Sequence, residues 1–180
     1  MIHLPTRIFF GEGALLKAAD QLLSLGSRPL VVTGRSSARL SGALDEFSLV
    51  LDRAGLAWKL FDQVEENPSL DTVLAGARLL RESGCDFLIS IGGGSPIDAA
   101  KAISLAAANS LGRDEIYQTG KFRAALPLVA IPTTSGTGTE VTQYSVLTDP
   151  LSGIKAGFGH DLAFPRLAIC DPRHTLSLSP

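Results

Sequence analysis

Two short apolar runs, FLISI (87–91) and PLVAI (127–131), constrain the fold of this chain more than any other feature. Neither run alternates apolar with polar residues, and both contain β-branched residues, so each is typical of a strand buried on both faces. Such strands belong to parallel sheets whose faces are covered by helices, because the crossover between parallel strands is usually a helix. The two runs therefore predict an α/β fold.

The other elements alternate along the chain as such a fold requires. Strands are also expected at 7–10, 30–33, 56–61 and 167–170. Helices are expected at 12–25, 36–54, 69–83 and 96–108, with Ser69 as a cap and Gly26, Gly55 and Gly84 as stops. The segment 141–149, the turn DPLSG and residues 154–158 predict a β-hairpin. The pattern therefore predicts a Rossmann-like parallel sheet with helices on both faces, plus a β-hairpin after a threonine-rich loop.

Length and composition indicate one soluble globular domain, residues 1–180. Apolar residues make up 45% of the chain and charged residues 19%, a balance that excludes an intrinsically disordered protein. The net charge of −2 gives no reason to expect a nucleic-acid or membrane partner. No segment resembles a signal peptide or a membrane span, and Cys85 and Cys170 are interpreted as buried thiols. We therefore expect a cytoplasmic protein.

Three consecutive glycines join a buried strand to a helix in the stretch ISIGGGSPIDAAKAISL (89–105). Without a Cβ, Gly92, Gly93 and Gly94 would let a phosphate reach the backbone, and the helix N-terminus beyond them offers unpaired N–H groups. Ser95 adds a hydroxyl donor, so the stretch suits a pyrophosphate. A tight strand–helix turn without a ligand is the alternative, because the stretch matches neither GxGxxG nor GxxxxGK[ST].

A second polar loop, TTSGTGTEVT (133–142), follows the other buried strand. Its hydroxyl and N–H groups would line a polar cleft; the alternative is a threonine-rich loop that only begins a hairpin. Because the carboxyl ends of parallel strands lie at one edge of a sheet, the two loops together favour a ligand-binding crevice at that edge.

Gly34, Arg35 and Ser36 follow the strand at 30–33, where dinucleotide enzymes often carry an acid that holds the adenine ribose. An arginine there suits the 2′-phosphate of NADP, and a surface arginine in a turn is the alternative. Asp98 and Lys101 lie three residues apart on one predicted helix. They form either a solvated ion pair or a site in which Asp98 faces the nicotinamide side of the cofactor or fixes the glycine loop.

These stretches together resemble the iron-containing (group III) alcohol dehydrogenase family, within the dehydroquinate synthase-like superfamily. The motifs that carry the resemblance are FFGEGAL, ENPSLDTV, GGGSPIDAAKAI, IPTTSGTGTEVT, the lysine of GIKAG, and FPRLAICDP. The resemblance implies an N-terminal α/β domain that binds NADP or NAD. The family often has aspartate where Gly34 stands, so the glycine here leaves the choice between the two cofactors open. By position, the resemblance implies pyrophosphate contacts at Gly92–Ser95 and further cofactor contacts at Asn67, Thr133, Thr134, Thr137, Thr142 and Lys155.

The resemblance also implies where the metal chemistry lies. In this family a C-terminal helical domain supplies one aspartate and three histidines as metal ligands, beginning shortly after a DP…LP segment. Here that segment is DPRHTLSLSP, and the sequence ends at Pro180. That domain is therefore expected to be absent, with no catalytic residue and no metal ligand in this chain, so that Fe²⁺ or Zn²⁺ would need the missing domain. His3, His160 and His174 lack helical ligand spacing and are interpreted as solvated or core histidines.

Two classes of function follow. The first is part of an oxidoreductase that transfers hydride between a nicotinamide and a small alcohol or aldehyde, inactive by itself. The second is a stand-alone nucleotide-binding module without turnover; a fragment of a maleylacetate reductase or polyol dehydrogenase is a further alternative. The resemblance implies a homo-oligomer, because in the family the first strand often pairs across a dimer, and the strand at 7–10 is a candidate edge for that pairing. Without the helical domain, Leu176 and Leu178 would also be exposed, which favours self-association.

Overall fold

The computed structural model describes residues 3–177, a range that leaves out Leu178. The strands are β1 (Arg7–Phe10), β2 (Pro29–Gly34), β3 (Lys59–Val64), β4 (Phe87–Gly92), β5 (Leu128–Pro132), β6 (Tyr144–Asp149), β7 (Ile154–Gly159) and β8 (Leu167–Cys170). The α-helices are α1 (Ala14–Leu23), α2 (Ser37–Leu40), α3 (Ala43–Arg53), α4 (Leu70–Glu82) and α5 (Gly94–Asn109). Short 3₁₀ helices include Thr139–Val141 and Pro172–Thr175.

Six of the strands form one sheet in the order β1-β8-β5-β4-β2-β3, and every neighbouring pair is parallel. Their carboxyl ends therefore lie at one edge, with β4 and β5 side by side at the centre. The remaining strands, β6 and β7, pair antiparallel as the expected hairpin, which packs against α5. The predicted α/β fold with a β-hairpin after the threonine-rich loop is confirmed.

The central strand β4 shows why its sequence does not alternate. Phe87, Ile89 and Ile91 pack into a core on the face covered by α1 and α3, while Leu88 packs into a second core on the face covered by α4 and α5. Every residue of the strand is buried. Since both faces are buried, apolar side chains on either face stabilise the strand, by about 25 cal/mol per Å² of buried apolar area.

Several predicted boundaries differ from the structure, including those of the helix at 96–108, which begins at Gly94, and of the hairpin arm at 141–149, which begins at Tyr144. The helix expected at 36–54 is two helices, because Gly42 adopts a left-handed conformation (φ 73°) between α2 and α3. The strand expected at 56–61 lies at 59–64, because pairing with β2 begins only at Lys59, opposite Leu30. The first helix ends at Leu23, three residues before Gly26, whereas Gly55 and Gly84 (φ 68° and 63°) do follow α3 and α4.

Both cysteines are free thiols, with Cys85 buried and Cys170 half-buried. Burial raises the pKa of the Cys170 thiol to about 11, and the nearby Glu140 carboxylate acts in the same direction. Among the helices of residues 3–177, none has both the length and the apolar character needed to cross a membrane.

Candidate functional site

Two adjoining cavities open at the carboxyl edge of the sheet. The first, of about 380 Å³, is here called the Lys155 cavity and is lined by Asn67, Pro68, Gly94, Ser95, Asp98, Thr137, Thr139, Thr142, Tyr144, Val146 and Lys155. The second, of about 570 Å³, is called the Arg35 cavity and is lined by Gly34, Arg35, Ser36, Ser37, Val64, Glu65, Glu66, Gly93, Gly94, Ser95, Pro96 and Thr134. Gly94 and Ser95, at the start of α5, belong to both, so the two cavities form one cleft across the N-terminus of this helix.

The structure brings together almost all of the residues that the sequence indicated for the cofactor. All of them line one cavity or the other except Gly92 and Thr133, which are buried behind the loops. The Thr133 N–H donates to the Gly92 carbonyl at 2.9 Å, which joins the ends of β4 and β5. The Thr133 hydroxyl is buried and has no hydrogen-bond partner within residues 3–177. Contact of each residue with a cofactor stays a prediction.

Neighbouring residues of the protein leave little room for side chains in the glycine triplet. Gly92 has a φ of 151°, and a Cβ there would lie 2.7 Å from Cγ of Pro96. A Cβ on Gly93 would lie 3.2 Å from the Thr134 hydroxyl, and one on Gly94 would lie 3.0 Å from Cγ2 of Thr137. The glycines therefore allow the glycine loop and the threonine loop to pack against each other.

The N-terminus of α5 is suited to an anion. No side chain of residues 3–177 caps this 16-residue helix, whereas the Ser69 hydroxyl accepts the Thr72 N–H at the start of α4. The uncapped N–H groups and the helix dipole face the cleft shared by the two cavities. A bare backbone, an uncapped helix end and flanking hydroxyl groups fit a pyrophosphate.

Asn67 ties three parts of the cleft together. Its backbone is left-handed (φ 55°), a conformation that asparagine tolerates better than most residues. Its N–H donates to the Ser95 hydroxyl at 3.2 Å, and its side-chain oxygen accepts from the Lys155 Nζ at 2.6 Å. The glycine loop and the hairpin are thereby joined through residues that lie 88 positions apart in the sequence.

The Asn67 turn is itself held by Glu65. The Glu65 carboxylate accepts hydrogen bonds from the Ser69 N–H at 2.8 Å and from the Thr72 hydroxyl. Burial raises the pKa of Glu65, but these hydrogen bonds outweigh it and leave the pKa below its usual range. Glu65 is thus an ionised anchor of the turn and not a free acid in the Arg35 cavity.

The prediction of a solvated ion pair between Asp98 and Lys101 is wrong. Lys101 is 1% exposed, and its Nζ lies 3.9 Å from a carboxylate oxygen of Asp98. Lys101 is buried because α5 packs against the hairpin as well as against the sheet. The helical spacing alone does not show this second contact. Asp98 lines the Lys155 cavity, as the alternative interpretation required.

The sequence did not single out Glu66, Thr139, Tyr144 or Val146, which also line the cleft. The period-two pattern of the hairpin contained a signal for two of them, because Tyr144 and Val146 share the exposed face of β6. No local signal marked Thr139, since its position depends on how the loop folds back onto α5.

Among residues 3–177, Glu46, Asp171 and His174 form a group close enough to hold a metal ion. His174 is buried, as expected of a core histidine, and contacts Glu46 at 2.9 Å. The Arg173 guanidinium bonds to both carboxylates, and its hydrogen bonds hold the pKa of Asp171 well below the usual range. Because the Arg173 guanidinium already holds oxygen atoms of both carboxylates, the group does not suit a divalent metal and is a structural ion-pair network.

The comparisons with known proteins give one family. The family model "Iron-containing alcohol dehydrogenase" matches residues 5–172. The chain is 32% identical over 97% of its length to NADH-dependent butanol dehydrogenase A of Clostridium acetobutylicum, of which it covers 45%. It is 37% identical over 98% of its length to NADPH-dependent butanol dehydrogenase of Clostridium saccharobutylicum, of which it covers 46%.

A solved structure agrees with these matches. The iron-containing alcohol dehydrogenase of Thermotoga maritima is 44% identical and superimposes with a TM-score of 0.93 over 99% of this chain and 49% of that protein. The chain thus spans about half the length of the relatives that it matches. The family match over residues 5–172 and the superposition on this solved structure show that the chain belongs to the iron-containing alcohol dehydrogenase family.

Proposed function

We propose that this chain binds NADP or NAD across the N-terminus of α5 and forms the nucleotide-binding part of an alcohol dehydrogenase. The observation that carries the proposal is the convergence of the predicted residues on one cleft whose two cavities share Gly94 and Ser95. The pyrophosphate would lie at Gly93–Ser95. The adenosine would lie in the Arg35 cavity and the nicotinamide riboside in the Lys155 cavity.

The Arg35 cavity favours NADP as the bound form. Gly34 places no carboxylate beside the adenine ribose, and Arg35 and Ser36 offer donors for a 2′-phosphate. Of the two acids that line this cavity, Glu65 is engaged by Ser69 and Thr72. The relatives include one protein named as NADH-dependent and one named as NADPH-dependent, so family membership alone does not decide the choice.

A titration tests the proposal directly. The 180-residue chain is titrated with NADPH and with NADH, and nicotinamide fluorescence is followed. We expect saturable binding of both nucleotides, tighter for NADPH. Failure of both to bind would overturn the proposal, and tighter binding of NADH would overturn the role assigned to Arg35.

The reaction of the whole protein would be hydride transfer between the nicotinamide of the bound cofactor and a small alcohol or aldehyde. The residues of this chain would bind and orient the cofactor. Because the Glu46–Asp171–His174 group does not suit a divalent metal, we propose that Fe²⁺ or Zn²⁺ is held outside residues 3–177. We expect no alcohol oxidation by the 180-residue chain with NADP, NAD and either metal added. Metal-dependent turnover by this chain would contradict that proposal.

A module that binds the nucleotide without turnover is the second candidate, and the same unsuitable metal group favours it. A fragment of a maleylacetate reductase or polyol dehydrogenase stays the third. Expressing the gene that encodes this chain, with any sequence that follows residue 180, and assaying alcohols, polyols and maleylacetate separates the three. We expect turnover of a small alcohol or aldehyde.

A further inference from the structure

Lys101 is a buried cation to which the proposed nucleotide site gives no role. It lies on α5, one turn after Asp98, and is 1% exposed. Lysine is rarely buried to this extent, because removing an ammonium group from water costs several kcal/mol unless partners compensate. A lysine in this position therefore needs an explanation from its partners.

The partners of Lys101 belong to three separate elements. Its Nζ donates to the Thr139 hydroxyl at 2.6 Å and to the Tyr144 carbonyl at 2.7 Å. The Thr139 hydroxyl donates in turn to Asp98, whose second carboxylate oxygen accepts the Val146 N–H at 3.0 Å. One chain of hydrogen bonds thus joins α5, the threonine loop and β6.

The far end of this chain reaches the cleft. Asp98, Thr139, Tyr144 and Val146 line the Lys155 cavity, whereas Lys101 lies behind them. We propose that Lys101 is a positioning residue for the nucleotide site, which holds Thr139 and Asp98 in the wall of the Lys155 cavity and balances the charge of Asp98. The inference rests on the proposed nucleotide binding at this cleft.

The charge of Lys101 can be varied by changing the pH, without a mutation. Burial lowers the pKa of Lys101 to about 8, although the two carboxylates that face it, Asp98 on α5 and Glu140 on the threonine loop, act to raise it. A neutral amine keeps two N–H donors for Thr139 and the Tyr144 carbonyl. Deprotonation therefore removes the positive charge and leaves the hydrogen bonds, so Asp98 is uncompensated beside an anionic cofactor.

Loss of the Lys101 proton has opposite effects on nucleotide affinity and on the free energy of unfolding. The folded-state pKa of Lys101, about 8, is below the ordinary value of 10.5, so between these pH values the unfolded chain binds more protons than the folded chain. The contribution of Lys101 to the free energy of unfolding therefore rises with pH across this window. Nucleotide affinity is expected to fall over the same window. A purely structural role would move affinity and stability in the same direction.

The experiment compares the wild-type chain with Lys101→Met, which has a similar volume and no charge. NADPH is titrated at intervals from pH 7 to 9, and urea unfolding is measured at the same pH values. NADH is titrated in parallel, because it lacks the 2′-phosphate and excludes that group as the source of a pH profile. Lys17→Met, which removes an exposed lysine of α1, is the control for loss of one charge.

For the wild type we expect the affinity for both nucleotides to fall by about three- to tenfold between pH 7 and 9. The Lys101→Met chain should bind weakly at every pH, with a flat profile, and Lys17→Met should follow the wild type. The difference in unfolding free energy between wild type and Lys101→Met should shift in favour of the wild type as the pH rises.

Three results would overturn the inference by itself. One is a Lys101→Met profile that matches the wild type, and another is an affinity loss that only parallels a loss of stability. The third is a flat profile for a wild type that binds normally, a result that needs no variant and leaves the proposed function intact. A wild type that binds neither nucleotide at any pH overturns the proposed function and this inference together. If Lys101→Met does not fold, Thr139→Val removes the bridging hydroxyl in its place and should show the same weak binding.

Discussion

At the scale of single residues, the glycine triplet allows two loops to pack together and, in the proposed function, allows a phosphate to reach the backbone. Gly93 must leave room for Thr134 and, in the proposed function, for a phosphate that approaches the same part of the backbone. A large side chain such as valine would disturb both, so an effect on binding could not be assigned. A single methyl group separates the two better, since the Cβ of alanine meets the Thr134 hydroxyl at 3.2 Å and a shift of a few tenths of an ångström relieves the contact.

For Gly93→Ala we expect the affinity for NADPH to fall about tenfold or more, with the unfolding free energy changed by about 1 kcal/mol or less. The methyl group would stand where the phosphate approaches the backbone. Gly120→Ala is the matched control, because nothing lies within 4 Å of a Cβ at that position. Nucleotide titration and urea unfolding of both variants check the prediction, and an unchanged affinity would mean that the triplet serves only the packing of the two loops.

Gly34 offers a second test at this scale. A Cβ there would lie 3.4 Å from the Val64 carbonyl and farther from other atoms, which is ordinary van der Waals contact, so the backbone accepts a side chain at this position. For Gly34→Asp we expect the NADPH affinity to fall about tenfold relative to that of NADH, because a carboxylate repels a 2′-phosphate and accepts from a 2′-hydroxyl. Gly34→Ala separates charge from bulk. If the ratio of NADPH affinity to NADH affinity were the same in the two variants, the adenine ribose would have to lie elsewhere.

At the scale of elements, the helices that frame the cleft begin in contrasting ways. The start of α5 is left open to the cleft, whereas the start of α4 is closed by Ser69, Glu65 and Thr72. An open helix end forgoes the stability of a cap, worth about 1 kcal/mol, and keeps its N–H groups for a ligand. The closed end of α4 holds the turn that carries Asn67.

The cap of α4 should have a measurable effect on stability. Ser69→Ala is expected to lower the unfolding free energy by about 1 kcal/mol, since the Thr72 N–H loses its acceptor. Ser48→Ala in α3 is the control, because that hydroxyl bonds only to the Asp45 carbonyl within its own helix. Urea unfolding measures both. Equal effects of the two substitutions would contradict the assigned role of Ser69.

At the scale of the whole molecule, β1 lies at one edge of the six-stranded sheet. Ile8 and Phe10 are 45% and 74% exposed there, and Leu176 is also exposed. An edge strand with exposed apolar side chains invites pairing with a second copy. The expected homo-oligomer is therefore proposed to form through β1.

Light scattering tests this proposal on the 180-residue chain. The N–H groups of Arg7 and Gly11 point to β8, so the intervening Ile8 N–H points away from the sheet. Ile8→Pro removes that outward donor and is expected to convert the oligomer to a monomer, whereas Ile8→Val keeps the donor and should remain assembled. A monomeric wild type at high concentration would contradict the proposal.

Much of the fold was predictable because its signals are local. The runs at 87–91 and 127–131 identified a doubly covered parallel sheet, since burial on both faces favours apolar residues at successive positions of a strand. The loops after these strands indicated the cleft, because parallel strands bring their carboxyl ends to the same edge. Boundaries such as 36–54 were wrong where one glycine conformation or one pairing register decided the outcome.

The sequence by itself determined the class of the fold, the order of its elements and the loops that meet at the cleft, because periodicity and motif spacing are properties of neighbouring residues. Only the tertiary structure decided which charges are buried and which residues meet. Lys155 reaches Asn67 across 88 positions, and Arg173 holds oxygen atoms of the two carboxylates that would otherwise suit a metal. Lys101 is enclosed by a loop and a hairpin that follow it in the chain. Such contacts depend on how distant elements pack, and no spacing within a single helix or strand encodes them.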